Sequence, residues 1–297
     1  AYWHRDVDHY QLTRGKEGAK NGENYHRTDV YGASLNAHAT WLLGKTAVGM
    51  DIRKEHILST AYGDLLPENE WKDIHGTDRR YDHRGDRTNT SLFLEHNVIL
   101  GGFTLSAGVL ANRNTGLDGD FRFYPGVDLS YRPNEMWKFY ASWNKALRVP
   151  TYTDLYTSNS VQQGDTGLRP ERTSTFKAGT RFRTRGVEAV VSGFYSKGSD
   201  IIDWVYETEE SRKYHAMNIG KLDNMGYSVD ATLNMTELLP GSFVTRIKAG
   251  YARIHQRHTT EQPVYRSLYA LEYLRHKATF QLDHRIWSRL SASWAVR

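Results

Sequence analysis

The chain has no cysteine, so disulfide staples, thiolate metal sites and cysteine nucleophiles are excluded together. It has no apolar run near the roughly 18 consecutive residues that a membrane-spanning helix requires, which excludes a helical membrane protein. A barrel in lipid is not excluded, because its strands are apolar on one side only. Proline is scarce, with 7 in 297 residues, and a hydrophobic fraction of 39% is low for a core buried from both sides. Neither sign of charge dominates: 39 basic and 34 acidic residues are mixed along the whole length and leave a net +5. A nucleic-acid groove needs a basic stripe and none is present, so no nucleic-acid partner is expected. Tyrosine (19), tryptophan (8) and glycine (25) are plentiful, a composition that suits strands and tight turns.

Period-two alternation is the main signal. In SLFLEHNVIL, Leu92, Leu94, Val98 and Leu100 share one face, while Ser91, Glu95 and Asn97 share the other. After Gly101-Gly102, the residues Phe103, Leu105, Ala107 and Val109 stand opposite Thr104, Ser106 and Gly108, which makes a hairpin with one apolar and one polar face. PGVDLSYR with WKFYASWNK, TFKAGTRF with VEAVVSGFY, GYSVDATLNM with SFVTRIKAGY, and HKATFQLDHRIW with LSASW repeat the pattern. Short turns are expected near 42–45, 101–102, 132–136, 183–186, 236–242 and 287–289, and longer polar loops at 14–24, 60–87, 114–120, 148–172, 206–214 and 256–270. Turns on one side and long loops on the other are the pattern of an outer-membrane barrel. About a dozen strands are expected, more than an open sheet usually holds without curling or closing. The fold class is therefore all-β, an antiparallel transmembrane β-barrel, with residues 1–297 as one barrel-domain fragment. The chain ends on LSASWAVR, an alternating strand without a closing aromatic residue, so C-terminal closing strands are expected beyond it.

Loop 60–87 concentrates Asp73, His75, Asp78, Asp82, His83 and Asp86. Such oxygen ligands suit calcium, yet the ligand alternation and sharp glycine of a calcium loop are missing, and a solvated loop is the favoured reading. The 13 histidines are scattered, and no metal or cofactor is expected. No His-Glu-x-x-His pattern, nucleophile elbow or phosphate-binding glycine loop occurs, so the protein is not expected to be an enzyme.

The segment WNKALRVPTYTDLYTSNSVQQGDTGLRPERTSTFKAGTRF resembles the strand-loop-strand of TonB-dependent receptors. Its matching residues are Arg148, Pro150, Thr151, Asp154, Leu155 and Tyr156, followed by Leu168, Pro170 and Glu171. GFYSKGSDIIDW, MNIGKLDNMGYSVDATL and YLRHKATFQL resemble later strands of the family in the same order, and the cobalamin receptor is the most similar branch. The resemblance implies a barrel of about 22 strands in the outer membrane of a Gram-negative bacterium, too wide for side chains to fill and occupied by a plug domain. It further implies import of a scarce large nutrient (cobalamin, a ferric siderophore or haem), driven by the periplasmic protein TonB acting through the plug. The plug itself is not in this sequence. A passive porin or interaction barrel is the alternative, and an outer-membrane hydrolase is less favoured. Trp71, Tyr81, Tyr152 and Tyr156 are the candidate ligand contacts by position and chemistry. The Arg148 to Glu171 motif reads as architectural: Pro150 has no donor and ends a ladder, Pro170 restarts one, and Arg148 is placed to pair with Glu171.

Overall fold

In a computed structural model, the description covers residues 1–11, 23–117, 119–271 and 273–297. Thirteen long strands follow one another as an antiparallel meander: β1 (Tyr2–Gln11), β2 (Glu23–Trp41), β3 (Gly44–Ser59), β4 (His83–Leu100), β5 (Phe103–Asn114), β6 (Arg122–Tyr131), β7 (Trp137–Arg148), β8 (Glu171–Thr184), β9 (Val187–Ser199), β10 (Gly220–Asn234), β11 (Val244–Thr260), β12 (His276–Trp287) and β13 (Leu290–Val296). Each pairs with the next, and a short strand, Asp64–Leu65, adds to β4 and brings the sheet to 14 strands. Helix is confined to Glu68–Glu70, Tyr152–Tyr156 and Met235–Leu238 among the described residues. Strands of 19, 16 and 18 residues at β2, β3 and β4 are about three times the usual length in globular proteins.

Register carries the alternation across the sheet. Val127, Trp143, Phe176, Tyr195, Met225 and His255 form one cross-strand row. On the apolar face Leu92, Leu105 and Val127 remain 40%, 42% and 39% exposed, so they do not pack into a closed soluble core. The opposite face is polar and internally bonded. Asn112 donates to Asn89 (3.0 Å) and Ser91 (2.9 Å), Ser106 donates to Glu95 (3.1 Å), and Ser34 donates to Asp51 (2.6 Å).

The short turns gather at one end. Arg132 N–H donates to Gly102 O (2.8 Å), Arg183 to Met136 O (2.8 Å), Asn234 to Gly186 O (2.8 Å) and Arg285 to Phe243 O (2.7 Å). The buried apolar clusters lie in or beside the connections at the other end. Three boundaries differ from the sequence reading. Strand β4 begins at His83, inside the expected 60–87 loop, and β11 runs to Thr260, inside the expected 256–270 loop. The expected 206–214 loop is in fact residues 200–219, because β9 stops at Ser199 and Asp200 takes a left-handed φ of 55°. Ile202–Tyr206 and Tyr214–Asn218 then form their own hairpin. The expected 14–24 loop falls mostly outside the described residues.

With the apolar face in lipid, Leu94→Arg in the middle part of β4 is expected to cost about 2–4 kcal/mol, and Ser106→Arg on the polar face well under half of that. Urea titration in phospholipid vesicles measures both, and equal costs would remove the distinction between the faces.

Candidate functional site

The Arg148 to Glu171 segment is built from its ends. Thr151 caps the helix Tyr152–Tyr156 with a reciprocal box: its hydroxyl accepts from Asp154 N–H (3.1 Å), and the Asp154 carboxylate accepts from Thr151 N–H (3.0 Å). Such a box satisfies two of the donors a helix start leaves open. Arg148 then binds Asp154 (3.1 Å) and Glu171 (2.7 Å), joining the end of β7 to the start of β8. Glu171 also accepts from Ile202 N–H (2.9 Å), which adds the next loop to the clamp. Pro150 is fully buried and its carbonyl accepts from Arg87 (2.9 Å), while Pro170 is buried directly before β8.

Three loops merge into one unit. A four-stranded sheet runs Gln162–Gln163, Tyr214–Asn218, Ile202–Tyr206, Arg266–Ser267, taking strands from residues 149–170, 200–219 and 261–275. The hairpin is covered on both sides. Ile202 and Trp204 pack with Leu155 and Leu168, while Ile201 and Val205 pack with Val264 and Leu271. Asp203, 1% exposed, closes the second side. Its carboxylate accepts from the Ser267 hydroxyl and from the Tyr269 (3.1 Å) and Ala270 (3.0 Å) N–H groups. At Asp200, burial works to raise the carboxyl, but hydrogen bonds from Arg172 (2.6 Å) and Arg169 (2.8 Å) prevail and hold it below the usual carboxylate range.

The four candidate contacts separate into two pairs. Trp71 and Tyr81 belong to the interior of loop 60–82: Tyr81 is 5% exposed among Leu58, Leu66 and Ile74, and Trp71 packs there and donates to Leu66 O (2.9 Å). Tyr152 and Tyr156 instead line a cavity of about 150 Å³ with Asp64, Asp86 and Arg87. The Arg87 guanidinium lies 4.6 Å from the Tyr152 ring centre. Gly85 allows this docking, since a Cβ there would stand 2.7 Å from the Tyr152 ring. The Tyr152 hydroxyl is buried without a hydrogen-bond partner among the described residues, and burial pushes its pKa up to about 12. Tyr62 joins loop 60–82 to this segment through Thr157 (2.9 Å). The cavity can hold a small polar group between two phenols, two carboxylates and a guanidinium.

The acidic residues of loop 60–87 are used locally. Asp73 pairs with Arg80 (2.8 Å), Asp82 with His83 (2.7 Å) and Asp86 with His56 (2.8 Å). His26 meets Ser59 at 2.8 Å, an arrangement that invites a hydrolytic reading. Ser59 is fully buried, however, and its oxygen accepts from Ala61 and Tyr62 N–H groups to hold a turn. Sequence reasoning missed Asp203, whose one available signal was a lone carboxylate within the apolar run IIDWV.

The family described as TonB dependent receptor-like, β-barrel matches residues 1–297. Among solved structures, the FrpB iron transporter from Neisseria meningitidis (F3-3 variant) is similar at 18% identity and a TM-score of 0.64, covering 94% of this chain and 43% of that one. The siderophore receptor PirA from Pseudomonas aeruginosa gives 16% identity and 0.65, over 92% of this chain and 46% of that one. The copper transporter OprC gives 18% and 0.67, over 91% and 43%. At these identities the structures establish the fold alone, and the chain spans less than half the length of each.

Asp203→Ala is expected to cost about 3 kcal/mol locally, since it strands buried donors. Amide exchange would then accelerate at 267–271 and leave β7 to β10 protected; unchanged exchange would show the carboxylate to be dispensable. Because the folded pKa of Tyr152 exceeds its ordinary value of 10, the fold favours the neutral phenol. Helix docking is therefore at full strength below pH 10 and weakens as pH rises through about 12. Phenolate absorbance should show one late-titrating tyrosine that disappears in Tyr152→Phe, and an unaltered curve would place that phenol elsewhere.

Proposed function

Since the chain belongs to the TonB dependent receptor-like β-barrel family over residues 1–297, we propose that it forms a large part of the barrel of an outer-membrane receptor that binds and imports a scarce, large nutrient. The proposed ligand is a metal-bearing molecule: a ferric siderophore first, in keeping with the iron and siderophore transport named for similar structures, with cobalamin and haem as the other members of the class. Energy comes from the periplasm through TonB, acting on a plug domain of the same receptor within the lumen.

The observation that carries this reading is the fused loop assembly standing at one end of a wall with two unlike faces. A polar, hydrogen-bonded face suits a lumen holding a plug and a hydrated ligand, and an apolar face suits lipid. The loop assembly offers a fixed surface beside the Tyr152 and Tyr156 cavity, and pre-ordering of this kind reduces the entropy lost on ligand binding. A passive pore would need the polar face but not such an assembly.

The test is uptake of radiolabelled ferric siderophore, cobalamin and haem by cells making the full-length protein. Uptake of one of them is expected to stop when TonB is deleted or the proton gradient collapsed, and uptake that continues would establish a passive channel. In calorimetry the barrel alone is expected to bind that ligand at least about tenfold more weakly than the full receptor, because the plug supplies part of the site. Equal binding would assign the whole site to the loops.

A further inference from the structure

On the polar face, at the loop end of β1 to β4, Asp8, His26, Ser59 and His83 stand in one cross-strand row. A strand crosses a bilayer in about 9–11 residues. The part of β2 next to the turn is enough for that, and His26, close to the first residue Glu23, stands on the loop side of the lipid.

Hydrogen-bond capacity fixes the protonation of this row. Ser59 Oγ accepts from the Ala61 and Tyr62 N–H groups at 2.8 and 2.7 Å. A hydroxyl oxygen has two acceptor sites, and both are taken. The Ser59 proton is therefore donated to His26 Nδ1, 2.8 Å away, and the imidazole is neutral with its own proton on Nε2. Burial favours the same state, holding the His26 pKa below its ordinary 6.5 against the opposing pull of Asp8. The ring also stacks on Tyr62, with centroids 4.2 Å apart. The Tyr62 hydroxyl bonds Thr157 (2.9 Å), which is buried at the end of the Tyr152–Tyr156 helix. One imidazole thus supports the turn after β3 and, through Tyr62, the join between loop 60–82 and the Arg148 to Glu171 segment.

Protonation would reverse the bond. An Nδ1–H would face an oxygen whose acceptor sites are filled, and the Ser59 hydroxyl would lose its acceptor. The charged and titratable groups around the ring are Tyr62, stacked on it; Asp8 on β1, directly opposite and exposed; and, beyond Ser59, His83 on β4, which is paired with Asp82 at 2.7 Å. Asp8 draws an imidazolium away from Ser59. We infer that His26 is a proton-operated latch between the two loop bodies: neutral, it holds residues 60–82 against Thr157, and charged, it releases them. Because its folded pKa lies below the ordinary value, the latched form is at full strength above about pH 7 and weakens as pH falls through 6.5. The inference takes the loop end of the strands to lie outside the lipid but does not depend on any transported nutrient.

Hydrogen exchange of the full-length protein in detergent, read by mass spectrometry at about pH 7.5 and about pH 5 and corrected for the intrinsic pH dependence of exchange, tests it. Protection at 60–64 and at 157–164 is expected to fall by at least about tenfold at the lower pH, while the β3–β4 ladder stays protected. His26→Gln keeps a carbonyl to accept from the Ser59 hydroxyl but does not titrate, and it should remain protected at both pH values. Tyr62→Phe keeps the stack and removes the link, so the response should persist at 60–64 and vanish at 157–164. His83→Gln should respond as the unsubstituted protein does. Equal protection at both pH values in the unsubstituted protein, an undiminished response in His26→Gln, or its loss in His83→Gln would overturn the latch. A failure of nutrient uptake would leave these readings unaffected.

Discussion

Every amide in a lipid-facing strand must find its partner in a neighbouring strand, because lipid offers no donors or acceptors. Long, continuous pairing follows from this requirement. The thirteen strands hold register over most of their length, with shifts confined to Val244/Arg246 and Arg285/Trp287 near the turns. Continuous pairing fixes the side-chain period at two, and the period sorts residues into a polar and an apolar face. Composition follows from that sorting, and it is why so few hydrophobic residues suffice for so much strand.

The same requirement has the opposite consequence where the chain leaves the ladder. Residues 200–219 and 261–275 are long connections whose backbone must be satisfied by some other means. They satisfy it as a soluble protein would, with a small sheet covered on two sides. Asp203 replaces ladder bonds with three contacts to residues 267, 269 and 270. Arg148 and Glu171 join this unit to the strand ends, and both reach Ile202, one at its carbonyl and the other at its N–H. The protein thus contains two kinds of folding, and the buried hydrophobic clusters of the described residues lie in or beside the connections.

This division explains what could be read in the sequence. Strand–turn alternation was legible because one-sided exposure imprints period two, and hairpins such as β4 with β5 were located within a few residues. The Ile202–Tyr206 hairpin was not, because burial on both sides erases the alternation, and IIDWVY reads as a continuation of β9. Trp71 and Tyr81 are candidate contacts by position and chemistry, and the structure adds that Tyr81 is buried in a local core with Trp71 packed against it. A few apolar residues spaced along loop 60–87, Leu66, Ile74 and Tyr81, are enough to form a local core with Leu58, and composition does not report their convergence. The pairing of Arg148 with Glu171 is legible in the sequence as chemistry, whereas Asp154 stands in the motif without a sign that it also binds Arg148.

The motif that carries the family resemblance is largely bonded within itself. Arg148, Thr151, Asp154 and Glu171 spend their polar atoms on one another and on Ile202, and Pro150 and Leu168 are buried. A group already engaged by its own fold gains less by turning to a ligand wherever the new bond displaces an old one. Tyr152 is different within the same segment: Gly85 admits its ring, Arg87 lies against it, and its hydroxyl has no partner among the described residues. An unsatisfied buried phenol is unfavourable unless something supplies the missing bond. The segment therefore combines an internally bonded scaffold with one buried polar atom that has no partner among the described residues.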